Sequence, residues 1–261
     1  MKNSVQQMVD AICSILKENV LSIYLYGSSV LDDFKLGWSD IDILVLTKEK
    51  IDLQQANQLV TLRQQLLESQ PDNKYFRKFE GAMLSFDAFA NQTADTVVYW
   101  GTRGEKIKDN YSLDSFSMKQ LVEDGKLVYG EDVRIHLSTP TYENLYQDIF
   151  YHYQTIREHG QKPARNLYSF GWFLDISRCL YTLKTGKIIS KTKAGYWALE
   201  NNLCPNKQAL QFVLKVRENP ALKDQSETMD YAETLAESIK QYADVLEKEL
   251  EKTKQKKNLG N

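Results

Sequence analysis

The sequence predicts an α+β protein, in which a mixed sheet flanked by helices comes first and an all-α helical bundle follows. Three observations predict it. Short apolar runs at 21–26, 41–46 and 79–86 have the length of strands, and stretches with helical spacing separate them. Beyond the punctuation at Gly130-Glu-Asp and Ser138-Thr-Pro140, almost every periodic segment is helical. A chain of 261 residues is long enough for one or two domains with a sizeable core, and the division is expected at 1–137 and 138–261.

In chain order, Val5, Met8, Val9, Ile12 and Leu16 have helical spacing, and the first strand follows at 21–26. It ends at Gly27, and Ser28, Ser29 and Val30 read as the start of a short helix. The second strand, 41–46, leads to a helix over 53–67 through Ala56, Leu59, Val60, Leu66 and Leu67, interrupted only by Arg63. The strand 79–86 follows. In the second part Tyr142, Leu145, Tyr146, Ile149, Phe150 and Tyr153 form one apolar face. Phe170, Phe173, Leu174, Ser177, Leu180 and Tyr181 form another, and 226–252 reads as one long closing helix.

The chemistry concentrates between the first two strands. Alternation along a strand puts Asp40 and Asp42 on one face, with Ile41 and Ile43 on the other. Carboxylates held side by side repel each other, so positive charge is expected between them. A pair of Mg²⁺ ions suits hard oxygen ligands that act together with substrate phosphates. Gly27 lets backbone approach a ligand closely, and N–H groups at Ser28 and Ser29 with the Ser28 hydroxyl would cradle a triphosphate. A glycine-serine turn alone, or Asp-x-Asp alone, is weak. Their succession as strand, turn, helix and carboxylate strand is specific.

That segment, Tyr26-Gly-Ser-Ser through Asp40-Ile-Asp-Ile-Leu-Val45, resembles the signature of the polymerase-β-like nucleotidyltransferase superfamily. The resemblance implies transfer of a nucleoside monophosphate from a triphosphate and a third carboxylate on a neighbouring strand, for which Glu80 is the best placed. Downstream, Ser177-Arg178 through Thr185-Gly186-Lys187-Ile188 to Lys191, followed by Ala194 and Trp197-Ala198, is similar to the second-domain signature of the aminoglycoside adenylyltransferases acting on streptomycin and spectinomycin. Asp114 to Gly130 also resembles the end of that family's first domain. By this resemblance the first part is a nucleotidyltransferase domain and the second binds acceptor and ATP phosphates. Arg178 and Lys191 would reach the ATP phosphates, Asp40, Asp42 and Glu80 would hold metal, and Glu80 would be the base, with Asp87 as the fallback. The implied reaction moves AMP from ATP to a hydroxyl of an aminoglycoside or aminocyclitol and releases pyrophosphate. Another acceptor (a lincosamide, another metabolite, protein or RNA) or a catalytically silent nucleotide-binding module is the alternative.

The acceptor side departs from the family. Positions that are acidic in streptomycin-accepting members correspond to Ala164, Tyr168 and Gly171. An aromatic that the family uses after the third carboxylate is not clearly reproduced, although Tyr99, Trp100 and Arg103 lie nearby. Trp38, beside Ser39-Asp40, is a candidate nucleotide or acceptor contact, and Asp148, Asp175 and Glu200 are candidates to meet an amine.

Composition narrows the partners. With 33 Lys and Arg against 35 Asp and Glu, no basic stripe for polynucleotide appears, and the run Lys252 to Lys257 reads as a solvated helix end. A small acceptor fits better than nucleic acid. No long apolar run marks a membrane span and the first residues lack a secretory h-region, so a cytoplasmic monomer is expected. Cys13, Cys179 and Cys204 are too few and too scattered for a disulfide framework or zinc site and read as buried apolar groups. His136, His152 and His159 lack metal-binding spacing on one helix face.

Overall fold

The computed structural model describes residues 1–102 and 104–259, with side chains through Gln255. By internal contacts it divides into two compact units, Met1–Phe34 with Ser39–Thr139, and Lys35–Trp38 with Pro140–Asn261.

The first unit holds α1 (Lys2–Leu16), β1 (Val20–Tyr26), β2 (Ile41–Thr47), α2 (Leu53–Ser69), β3 (Phe79–Ser85), α3 (Phe86–Asn91), β4 (Val97–Gly101), β5 (Gly104–Lys108), α4 (Ser115–Asp124) and β6 (Lys126–Gly130). The strands form one sheet in the order β5-β4-β3-β2-β1-β6. β2 and β3 are parallel and the other pairs antiparallel, so the sheet is mixed. Strand alternation sends Ile41, Ile43 and Val45 into one core with Met8, Ile12 and Leu59 from α1 and α2. Leu44 and Leu46 enter the opposite core with Phe89 and Leu121 from α3 and α4. Both faces are covered, which explains why β1, β2 and β3 read as continuous apolar runs rather than polar-apolar alternations.

Arg63 interrupts the apolar stripe of α2 yet is buried. Its guanidinium donates from Nη1 to the Phe79 carbonyl at 2.7 Å and from Nη2 to the Gly101 carbonyl at 3.2 Å, and pairs with Glu105. A cation in the core is tolerated because its donors are satisfied. It ties α2 to the start of β3 and the end of β4.

The second unit is helical: α5 (Tyr142–His159), α6 (Tyr168–Thr185), α7 (Lys191–Glu200), α8 (Lys207–Glu218), α9 (Ser226–Glu233) and α10 (Ala236–Leu259). Helix α6 is central, with Phe170, Phe173, Leu174, Ser177 and Leu180 at zero exposure. Ser177 Oγ donates to the Phe173 carbonyl at 2.8 Å and meets the Tyr242 hydroxyl at 2.9 Å. Gly186 ends α6 in the left-handed region at φ 68°, where a side chain would be strained.

Three local expectations change. The segment expected as one closing helix is two, because the chain turns at Thr234, whose amide and hydroxyl both donate to the Tyr231 carbonyl, and Leu235 is buried before α10 begins. On α5 the buried residues are Leu145, Ile149 and Ile156, whereas Phe150 is exposed. The short helix after β1 is a single 3₁₀ turn, Gly27–Ser29.

Cys179 and Cys204 are buried, Cys13 is half-buried, and none is disulfide-bonded. Among the described residues no helix is long and apolar enough to cross a membrane. The basic run at 252–257 lies on α10, where Lys252 is exposed; the Lys256 and Lys257 side chains are outside the described residues.

Candidate active site

Parallel pairing of β2 and β3 sets Asp42 opposite Glu80. Ile41 and Ile43 face the α1 and α2 core, so Asp42 takes the other face of the sheet, which it shares with Ala82 and Leu84 one and two steps beyond Glu80. Asp40 lies just before β2 and close enough to Glu80 for its charge to act there. The three carboxylates named from the sequence therefore gather at one end of two adjacent strands.

Gly27 belongs to the same place. Its φ is 67°, and a Cβ built on it would lie 2.0 Å from Asp42 Oδ2. Only glycine lets the bend and the carboxylate coexist. Ser28 Oγ reaches the Asp40 carbonyl at 3.5 Å, and the Asp33 amide donates to the Ser28 carbonyl at 3.1 Å, so the loop is tied across to the start of β2. Ser29 Oγ turns back to the Tyr26 carbonyl at 3.0 Å.

Glu80 has its own cradle. Thr102 donates to Glu80 Oε1 from its amide at 3.2 Å and from its hydroxyl at 3.3 Å, and the Tyr99 hydroxyl donates to the same oxygen at 3.4 Å. Glu80 Oε2 lies 3.5 Å from the Thr102 hydroxyl, and the carboxyl also interacts with the Asp40 side chain. Burial and then the Asp40 charge raise the Glu80 carboxyl above its ordinary value, and the Thr102 bonds oppose that rise. Lys78 Nζ lies 3.7 Å from Asp40 Oδ1, with both side chains partly exposed. Tyr26 and Tyr111 are raised by burial and, to a lesser extent, by the Asp42 charge.

Tyr99 is thus the aromatic beside the third carboxylate. Trp100 is core, its Nε1 donating to the Leu59 carbonyl at 2.9 Å, and Arg103 lies outside the described residues. Asp87 sits exposed in the first turn of α3, bonded to Asn91, and does not join the cluster. Sequence reasoning missed Thr102, Lys78 and Arg63. Only Arg63 left a signal, as a charge on an apolar helical stripe.

In the helical unit Arg178 and Lys191 converge. Asp175 Oδ1 accepts from Lys191 Nζ at 2.9 Å and from Arg178 Nη2 at 3.3 Å. These two cations hold Asp175 below the ordinary carboxylate range although burial opposes it, and His152 adds to the effect. Trp38, in the segment that belongs to this unit, stacks on Phe170 with centroids 6.4 Å apart and an interplanar angle of 16°, and the Arg217 guanidinium lies 5.8 Å from its ring. A cavity of about 530 Å³ is lined by Trp38, Tyr168, Gly171, Asp175, Lys191 and Arg217 among others. Ala164 and Glu200 are exposed, Asp148 is half-buried on α5, and Lys187 is exposed.

Residues 5–90, which include the glycine turn, β2 and Glu80, match the family model of the nucleotidyltransferase domain. Residues 141–248 match the C-terminal domain of aminoglycoside adenylyltransferase. The chain thus resembles the aminoglycoside adenylyltransferases, with a nucleotidyltransferase domain followed by that family's C-terminal domain. Among solved structures it is similar to a spectinomycin adenyltransferase from Enterococcus faecialis solved with ATP and spectinomycin, at 18% identity and a TM-score of 0.70, covering 95% of this chain and 99% of that one. The likeness extends the shared fold to nearly the whole chain. A toxin-antitoxin protein, MntA-HpeT, is similar at 16% identity over 59% of this chain and 95% of that one, with a TM-score of only 0.30. Comparison with curated protein sequences gives no significant match.

Proposed function

We propose that the protein transfers AMP from ATP to a hydroxyl of an aminoglycoside or aminocyclitol and releases pyrophosphate. One observation carries this reading: three carboxylates gather beside a bend that only glycine can form. The aminoglycoside adenylyltransferase match of the second domain, and the acceptor named for the Enterococcus protein, support the acceptor class.

The donor set suits magnesium. All three side chains offer hard oxygens, and the Glu80 carboxyl, raised by burial and then by the Asp40 charge, is one whose ionised form a divalent cation would favour. Among the described residues no group of three or more His, Cys, Asp or Glu is arranged to hold a metal ion by itself. Magnesium does not require one, because it keeps several waters and takes one or two carboxylates together with substrate phosphates. Asp40, Asp42 and Glu80 would hold up to two ions. Bound Mg²⁺ supplies charge stabilisation to the attacking and leaving oxygens at the α-phosphorus.

The chain's own groups do the rest. Gly27 and Ser28 keep the backbone close enough for N–H groups to meet the triphosphate, with Ser29 closing the turn. Thr102 and Tyr99 hold Glu80 chiefly by Oε1, and in this reading the carboxylate takes the proton of the acceptor hydroxyl. The acceptor oxygen then bonds to the α-phosphorus as the bond to the β-phosphate bridge breaks and pyrophosphate leaves. Arg178 and Lys191 bind phosphate oxygens of the nucleotide, which makes residues 138–261 the acceptor and ATP-phosphate-binding domain and 1–137 the catalytic one. The reaction draws on cellular ATP, and the reading assigns a cytoplasmic monomer.

The test is pyrophosphate release from Mg·ATP with spectinomycin, streptomycin, kanamycin and lincomycin. Because Ala164, Tyr168 and Gly171 replace acids that streptomycin-accepting relatives use, spectinomycin is expected to respond first. Silence with all four removes the antibiotic acceptor from the reading.

A further inference from the structure

Asp175 stands at a point where the helical unit concentrates positive charge. Lys191 opens α7, whose first turn contains no acidic residue, and a cation at that end of a helix is disfavoured by the macrodipole. Arg178, one turn along α6 from Asp175, projects to the same place. Both reach a single atom, Asp175 Oδ1, at 2.9 and 3.3 Å. Asp175 is itself largely buried, with a side chain 20% exposed, where a carboxylate is stable only when paired. Two long, flexible side chains from different helices are thus held at one spot on the wall of the 530 Å³ cavity that Asp175 and Lys191 line.

We propose that Asp175 is a positioning residue that presets Arg178 and Lys191 as a pair for phosphate oxygens. The inference rests on the assignment of those two cations to the nucleotide. A lysine ammonium has three N–H donors and a guanidinium five, so one carboxylate oxygen can orient both groups while engaging one donor of each. Fixing them before the ligand arrives removes an ordering cost from binding. The same carboxylate also repels an incoming anion, so the two effects predict opposite results when its charge is removed.

The experiment titrates the full chain with inorganic tripolyphosphate and with Mg·ATP, read by the fluorescence of Trp38 and Trp172 in the cavity wall and checked by calorimetry. Asp175→Asn is expected to weaken both ligands by about tenfold. In a Lys191→Met background the same replacement should lose most of that effect, which a general loss of structure would not. Asp175→Glu keeps the charge but moves the oxygen and is expected to weaken binding by about threefold, so it carries the test should Asp175→Asn not fold. Unchanged or tighter tripolyphosphate binding in either variant overturns the proposal, as does an undiminished effect in the Lys191→Met background. A wild type that ignores tripolyphosphate, or a Lys191→Met variant that binds it equally well, overturns the phosphate assignment itself and this inference with it.

Discussion

Glu80 and Asp175 are both partly buried carboxylates, and their surroundings push them in opposite directions. Glu80, on a strand, has Asp40 beside it and Asp42 across the ladder, and its carboxyl is raised. Asp175, on a helix, has Lys191, Arg178 and His152 around it and is lowered despite its burial. Burial raises each carboxyl; the sign of the neighbouring charge decides the outcome. Among the described residues the first arrangement sets three carboxylates near one lysine, Lys78, whereas the second sets one carboxylate between two cations. That difference is what a metal-binding catalytic cluster and an anion-binding wall should each display before ligands arrive.

The largest expected effect comes from removing the charge that the strand cluster is proposed to use. Glu80→Gln should lower turnover by roughly 10² to 10⁴, the usual contribution of a general base, while Mg·ATP binding is retained. The same replacement should raise the melting temperature of the metal-free protein by relieving repulsion from Asp40, whereas Asp175→Asn should lower it by leaving two cations without the negative charge they share. Calorimetric melts in chelator test the pair together. Two shifts of the same sign would break the contrast, and undiminished turnover in Glu80→Gln would move the base elsewhere.

Gly27 sharpens the comparison from the backbone. An alanine there must hold a left-handed conformation and place its Cβ where Asp42 Oδ2 now sits, 2.0 Å away. The carboxylate has to swing aside. Gly27→Ala is expected to destabilise by about 1–3 kcal/mol and to reduce turnover by more than tenfold. Measured together, urea midpoints and steady-state rates separate the two effects. A variant with wild-type activity would show that Asp42 is not needed where it stands.

How much of this was legible beforehand depends on how local the cause is. Strand alternation is a property of consecutive residues, so the two apolar cores on either side of β2 could be read from the chain. The pairing of Asp42 with Glu80 required knowing that β2 and β3 run parallel; family resemblance supplied a third carboxylate on a neighbouring strand, and neither it nor periodicity supplied the direction. Thr102 lies after β4 and reaches Glu80 only because an antiparallel pairing folds it back, so nothing in its own neighbourhood announces it. Arg63 looked like a flaw in an apolar stripe; its meaning lies in carbonyls of two distant strands. The break at Thr234 was hidden because helical spacing continues through it. Asp175 is the converse case: its partner Arg178 is one turn away, but Lys191 comes from the next helix.

The smallest effect is also the most direct reading of the contrast. A carboxyl whose value in the folded state is raised favours folding only in its protonated form. Glu80 therefore contributes stability below its unfolded value, near the ordinary 4.5, and that contribution is lost as pH rises through the raised value. Asp175 is lowered, so its contribution is present above the ordinary 3.8 and is lost as pH falls through the lowered value. Denaturant midpoints of metal-free protein from acid to neutral pH should then diverge from wild type in opposite senses. Glu80→Gln should gain on wild type toward neutral pH, and Asp175→Asn should fall behind it there and rejoin it in acid. Magnesium should erase the first difference, because a bound cation favours ionised Glu80, and leave the second unchanged. A metal-insensitive Glu80 profile would separate the carboxylate crowding from any role in holding the ion.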